Sequence, residues 1–183
     1  MSEGGSAFER LTLRLETARL VLAPWTVSDA DVYADLIAER GPGARGHGTT
    51  PEQARDKIVG LAADERRDGI GFRAITRRTE GDVIGYCGLL VGRGSLAEPE
   101  VAYELLRRAH GHGYATEATA ELVAAAAATG RRRLWSTVAE WNVASLRVLD
   151  KLGFEVDRVQ VETSGGSTVY LTRGLANSTP LNV

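Results

Sequence analysis

Between a segment with strand character ending at Leu106 and one with helix character starting at Tyr114 lie Arg107-Arg108-Ala109-His110-Gly111-His112-Gly113. So short a connection forces a tight strand-to-helix turn, and its two glycines at alternate positions suit backbone that other residues avoid. The helix that follows begins with unpaired N–H groups and a partial positive charge. Without side chains at 111 and 113, an anion can approach those groups closely. Arg107 and Arg108 are placed to add charge-assisted hydrogen bonds. Two readings stay open: a phosphate nest, or glycines that only shape the turn.

The elements on either side define the fold class. Leu11 to Ala23 alternates as a strand, and Ser28-Asp29-Ala30-Asp31 caps a helix running to about Glu39. Gly41 to Gly48 reads as a loop bordering an acceptor pocket, and Thr50-Pro51-Glu52 opens a helix to about Asp68. Phe72–Arg77 and Asp82–Gly92 form an expected antiparallel pair, followed by a strand over Glu100–Leu106. Tyr114–Thr129 is helical, with an apolar stripe at Ala115, Ala118, Leu122 and Ala125. Leu134–Val138 is a strand, Val143–Leu152 a helix closed by Gly153, and Phe154–Glu162 with Thr168–Thr172 a terminal hairpin. The result is one α+β domain over 11–175, with a mixed sheet of about seven strands and about four helices. Residues 1–10 read as a loose lead-in and 176–183 as a tail.

Composition narrows the function. A net charge of −2 supplies no field for nucleic acid or an anionic membrane, so neither is an expected partner. The run Leu122 to Ala128 is too short to span a bilayer, and the first ten residues lack the marks of a signal peptide. Cys87 is alone, which excludes an intramolecular disulfide and fits a reducing, cytoplasmic home. His110 and His112 have no third ligand nearby, so no metal is expected. Gly41-Pro42-Gly43-Ala44-Arg45-Gly46 matches a dinucleotide pattern by letter but follows a helix rather than a strand. Arg131-Arg132-Arg133 reads as a solvated loop, and the three tryptophans as core, with Trp141 a candidate for the acceptor cleft.

Glu100-Val101-Ala102-Tyr103-Glu104-Leu105 and Arg108-Ala109-His110-Gly111-His112-Gly113-Tyr114-Ala115-Thr116-Glu117-Ala118 together resemble the central motif of the GNAT acetyltransferase superfamily. That motif is Arg or Gln, two residues, Gly, one residue, then Gly or Ala. A second block, Asn142 to Phe154, is similar to the Asn-x-x-Ser helix and Lys-x-Gly-Phe ending of the branch containing the ribosomal-protein N-terminal acetyltransferases. Thr17-Ala18-Arg19-Leu20-Val21-Leu22 also fits, so the resemblance runs over about residues 14–174.

The resemblance implies acetyl-CoA as co-substrate and transfer of its acyl group to a primary amine. It places cofactor contacts at Leu105, Leu106, Arg108, His110, Gly111, His112, Gly113, Tyr114, Ala115, Asn142, Ser145 and Lys151. The tyrosine that protonates the departing thiolate in many members would fall at Leu149, which cannot donate, so Ser145 is implied as the acid. Asn142 and Ser145 also suit a helix N-cap and first turn. Glu100 and Glu104 share a strand face and are candidates to accept the amine proton, an exposed edge or an ion pair being the alternative for each. A protein or peptide N-terminus (pKa about 8) is easier to deprotonate than a lysine (about 10.4). A small-molecule amine and an acyl-CoA-binding module without catalysis are the competing functions, and a homodimer is allowed.

Overall fold

The structure is a computed structural model that describes residues 8–40, 46–163 and 165–175. The expectations for the first seven residues, most of the 41–48 loop, position 164 and the 176–183 tail lie outside them. Among the described residues the strands are β1 (Leu15–Glu16), β2 (Leu20–Pro24), β3 (Phe72–Arg77), β4 (Val83–Leu90), β5 (Glu100–Leu105), β6 (Arg133–Ala139), β7 (Glu155–Val161) and β8 (Ser167–Gly174). The helices are α1 (Ala30–Ala38), α2 (Pro51–Asp68), α3 (Tyr114–Ala128) and α4 (Val143–Lys151). The strands form one mixed sheet in the order β1-β2-β3-β4-β5-β6-β8-β7.

The α+β class and the four helices match the sequence reading, and the strand count rises from about seven to eight. The expected strand over 11–23 is two, β1 and β2, because the chain reverses at Thr17. The Thr17 N–H donates to Leu20 O (2.9 Å), and the Thr17 hydroxyl oxygen accepts the Leu20 N–H (2.9 Å). Helix α2 starts as its sequence predicts: Thr50 accepts from the Gln53 N–H, Gln53 reaches back to the Thr50 N–H, and Pro51 opens the first turn. Gly69, with φ 72°, ends it.

Two apolar layers sandwich the sheet. Leu22, Ile75, Cys87 and Val101 pack with Ala118, Leu122 and Ala126 of α3 and Leu149 of α4. Ala74 on the other face packs with Ala30 and Ala34 of α1, Ala54 and Ile58 of α2, and Trp25. The reading of 131–133 as a solvated loop needs one correction. Arg131 is buried, donating to Leu96 O, Glu9 O and Thr129 Oγ1 at 2.9, 3.2 and 2.6 Å. Hydrogen-bond acceptors gathered around its fork make that burial tolerable.

All neighbouring pairs are antiparallel except β5–β6, which is parallel and has a single register pair, Glu100 with Trp135. The Trp135 N–H donates to Pro99 O (3.0 Å), and one step further the Ser136 hydroxyl, not a main-chain donor, reaches Val101 O (3.2 Å). Beyond that point the strands diverge. Gly85 holds the other side of β5 tight: a Cβ there would sit 2.1 Å from Glu104 O.

Near the start of β3, Arg73 is fully buried against Glu65 of α2 at 2.6 Å. Burial pushes the Arg73 pKa down and the Glu65 charge pushes it back up. Removing one partner strands the other in low dielectric. Glu65→Ala should cost about 3–5 kcal/mol, read as a fall in the urea midpoint. The double replacement Glu65→Leu with Arg73→Met should recover much of that loss.

Candidate active site in the β5–β6 split

Main-chain groups of a strand alternate sides. The Leu106 N–H donates to Ile84 O (2.8 Å), so the even positions of β5 pair with β4 while Tyr103 and Leu105 turn their amides and carbonyls toward β6. On β6 the Glu140 N–H donates to Ser167 O (2.9 Å) and Trp135 faces Pro99, so Thr137 and Ala139 face back across the split. The wedge therefore has two walls of main-chain polar groups suited to a ligand that pairs like a strand.

At the mouth lies the glycine turn. Gly111 and Gly113 both have φ of 79°, the left-handed region, and Gly113 is the N-cap of α3. A Cβ on Gly111 would project into open space. The N–H groups of Tyr114, Ala115 and Thr116 precede the first intrahelical bonds. His110 Nε2 donates to Leu105 O (2.9 Å), tying the turn to the split, and His112 Nδ1 donates to His110 O (2.8 Å). Carbonyls only accept, which fixes the proton on those nitrogens.

The cation that braces this turn is Arg19, to which the sequence reading gave no role. Its guanidinium pairs with Glu117 (2.6 Å), donates to His112 O (3.0 Å) and lies 4.6 Å from the Tyr114 ring centroid. Burial raises the Glu117 pKa, but hydrogen bonds from Thr17 and Arg19 outweigh it and the net shift is downward. This brace is complete above the ordinary carboxylate range and is lost only as pH falls through the depressed value. The two arginines of the turn are engaged elsewhere. Arg107 bonds Glu39 through its N–H (2.7 Å) and its guanidinium (2.9 Å to O). Arg108 donates through one terminal nitrogen to Asp82 (2.9 Å) and Val83 O (3.0 Å).

Glu100 and Glu104 do share one face of β5, but neither is a bare carboxylate. Glu100 is buried at the apex and accepts from the Thr137 hydroxyl and the Arg93 N–H (3.1 Å). Glu104 is gripped by Arg40, whose Nε lies 2.8 and 3.0 Å from its two oxygens, with Tyr86 Oη 3.4 Å from Arg40. The ion-pair alternative thus describes Glu104, through a partner 64 positions away that strand parity cannot reveal.

On the α4 side, Asn142 Oδ1 accepts the Ser145 N–H (3.2 Å), so Asn142 caps the helix and fixes its first turn. Leu149 is buried in the core. Tyr103, another residue the sequence reading left without a role, reaches from β5 to Ser145: its hydroxyl lies 2.8 Å from Ser145 Oγ and 3.1 Å from Ser145 O. Leu105 and Leu106 are buried, and Ala115 is half-buried against the core. Lys151 lies apart, in a groove of about 560 Å³ with Ala124, Leu152 and Arg173 among its walls. Trp141 is 81% exposed, outside the core. Among the described residues no cluster of histidine, cysteine or carboxylate could hold a metal, and no helix is long and apolar enough to cross a membrane.

A sheet split between two parallel strands, with a glycine turn and helix N-terminus at its mouth, is the architecture of an acyltransferase domain. Residues 19–155 match the acetyltransferase (GNAT) domain family, and the chain belongs to it. It is 29% identical over 153 residues to an uncharacterised N-acetyltransferase, p20, of Bacillus licheniformis, covering 80% of each chain. Its fold is also that of the ribosomal-protein-S5-alanine acetyltransferase of Vibrio fischeri (TM-score 0.77, 17% identity, 92% of this chain and 100% of that one). RimL, the ribosomal L7/L12 alpha-N-protein acetyltransferase solved with coenzyme A, superposes with TM-score 0.75 at 15% identity, over 91% and 98%. These two solved folds belong to the branch that the motifs resemble.

A valine at position 113 must adopt a strained φ and presents its side chain near Arg19. Inorganic pyrophosphate should shift the amide resonances of residues 111–115 in the native chain and leave those of Gly113→Val unmoved. Equal shifts in both would show that the turn is not an anion nest.

Proposed function

We propose that this protein transfers an acetyl group from acetyl-CoA to the α-amino group of a protein or peptide. The observation that carries the reading is the β5–β6 split opening onto the glycine turn: a strand-like slot for the pantetheine arm that ends at an anion-seeking helix N-terminus. The open space over Gly111 fits a phosphate group. Acetyl-CoA supplies an activated thioester carbonyl. The main-chain groups of Tyr103 and Leu105 would pair with the arm, with His110 setting the Leu105 carbonyl. The amides at 111–115 would take the pyrophosphate, Arg19 holding them in place. Ser145 would donate its hydroxyl hydrogen toward the sulfur as the C–S bond breaks.

The carboxylates favour an acceptor that needs little help losing its proton. Arg40 occupies Glu104, and Thr137 with the Arg93 N–H occupies Glu100, so water is the remaining acceptor. An α-amine with pKa about 8 is partly neutral near pH 7, whereas a lysine side chain is almost wholly charged. The reading agrees with the N-terminal acetylation named for RimL.

A panel of free-α-amine peptides, Nα-blocked lysine peptides, polyamines and aminoglycosides, scored by thiol release, separates the acceptors. The α-amine peptides should lead by at least about tenfold, in line with their neutral fraction. Preference for a polyamine or aminoglycoside would overturn the acceptor, and no thiol release from any amine would indicate a binding module. The kcat/KM of the best peptide should rise with pH to a plateau above about pH 8, and Glu104→Gln should leave that profile in place. Ser145→Ala should lower kcat by about 10- to 100-fold, at or below the low end of general-acid catalysis, because a thiolate already leaves well and needs only the serine hydrogen bond. Its affinity for CoA should hold, while Asn142→Ala should weaken it.

A further inference from the structure

The split is bridged on its α4 side by the Tyr103 hydroxyl, which meets Ser145, and that meeting bears on which way the serine proton points. A phenol carries a single hydrogen, and the Tyr103 hydroxyl faces both the carbonyl oxygen of Ser145 (3.1 Å) and its Oγ (2.8 Å). The carbonyl can only accept. With Tyr103 donating to that carbonyl, the Ser145 hydroxyl is free to donate to the phenol oxygen, and its hydrogen points away from any ligand. With the Tyr103 hydrogen swung onto Ser145 Oγ, the serine hydrogen is released to another acceptor. Rotation of one phenolic hydrogen exchanges the two states.

We propose that Tyr103 is a positioning residue for the transfer reaction: it accepts the serine hydrogen before the thioester breaks and donates to Ser145 Oγ while the serine donates to the departing sulfur. The proposal rests on the reading of Ser145 given above. As the amine nitrogen bonds the acyl carbon, the C–S bond breaks and its electron pair stays on sulfur, which accepts the Ser145 hydrogen bond. The proton lost by the amine passes to water, and solvent supplies the proton of the final thiol. Tyr103 itself gives up no proton. Burial outweighs the Ser145 hydrogen bond and pushes its pKa up to about 12, so it stays a neutral donor across the working range. The Asn142 cap fixes the serine backbone from the other side, so Tyr103 has a stationary partner.

Tyr103→Phe keeps the ring and removes only the hydroxyl. With an α-amine peptide as acceptor under conditions where chemistry limits the rate, kcat should fall about 5- to 20-fold, the worth of one hydrogen bond, with KM for acetyl-CoA unchanged. Combined with Ser145→Ala it should cost no more than Ser145→Ala alone, because the tyrosine acts only through the serine. An acetyl thioester of a more acidic thiol should narrow the gap between native and Tyr103→Phe proteins. If Ser145→Ala is slow but Tyr103→Phe matches the native kcat, or the two losses multiply, the positioning role is wrong and the serine stands. If Ser145→Ala itself keeps native kcat, the reading of Ser145 fails first. A raised KM with unchanged kcat in Tyr103→Phe would make the tyrosine a wall of the slot and overturn the proposal.

Discussion

The structure turns on a hydrogen-bond ladder that stops. β5 and β6 share one register pair and then part, which leaves the main-chain groups of Tyr103, Leu105, Thr137 and Ala139 without the neighbour that a parallel sheet normally provides. His110 takes the Leu105 carbonyl and the Asn142 N–H takes that of Ala139, and the wedge groups left over need water or a ligand as partner. Both sides around it are stiff. Gly85 lets β4 press onto β5 at a distance no side chain would allow, and β6 is zipped along its whole length to β8. The gap is therefore fixed by its neighbours, so under the function proposed above acetyl-CoA would enter a slot already formed.

The glycine turn extends that slot to the surface, and its electrostatics come from the rest of the fold. Arg19 reaches it from β1–β2, Glu117 from α3, and Glu39 holds Arg107 from the end of α1. Two segments distant in sequence and the helix that follows the turn thus converge on it and hold its backbone. Of the turn's two cations, Arg108 pairs with Asp82 and the Arg107 guanidinium donates to the Glu39 main-chain carbonyl, so the backbone amides and helix N-terminus carry much of the positive potential that the turn presents.

What the sequence made legible was local. The strand-to-helix turn, the start of α2 at Thr50-Pro51 and the closing glycine at 153 follow from short-range rules, and they fell where expected. The rest depended on chain approaches that no window of sequence displays. Arg131 looked like a solvated cation until carbonyls from residues 9 and 96 surrounded it. Strand parity left Glu104 either a proton acceptor or one half of an ion pair, and only the approach of Arg40 from the end of α1 decides for the pair. Tyr103 lies inside the Glu100–Leu105 motif, and its hydroxyl gains a partner only when α4 brings Ser145 to it. A missing tyrosine at Leu149 was the one clue that a hydroxyl had to be found elsewhere.

Whether acetyl-CoA fills the β5–β6 split is the central question, and amide hydrogen exchange reports on that main chain directly. In the free protein the N–H groups of Tyr103 and Leu105 face the wedge and should exchange faster than those of Ala102 and Glu104, which pair with β4. Saturating acetyl-CoA should slow exchange at Tyr103, Leu105 and residues 111–115, and leave the outer strands β1 and β7 unchanged. Protection confined to the groove around Lys151 and Arg173, with Tyr103 and Leu105 exchanging as before, would contradict filling of the split.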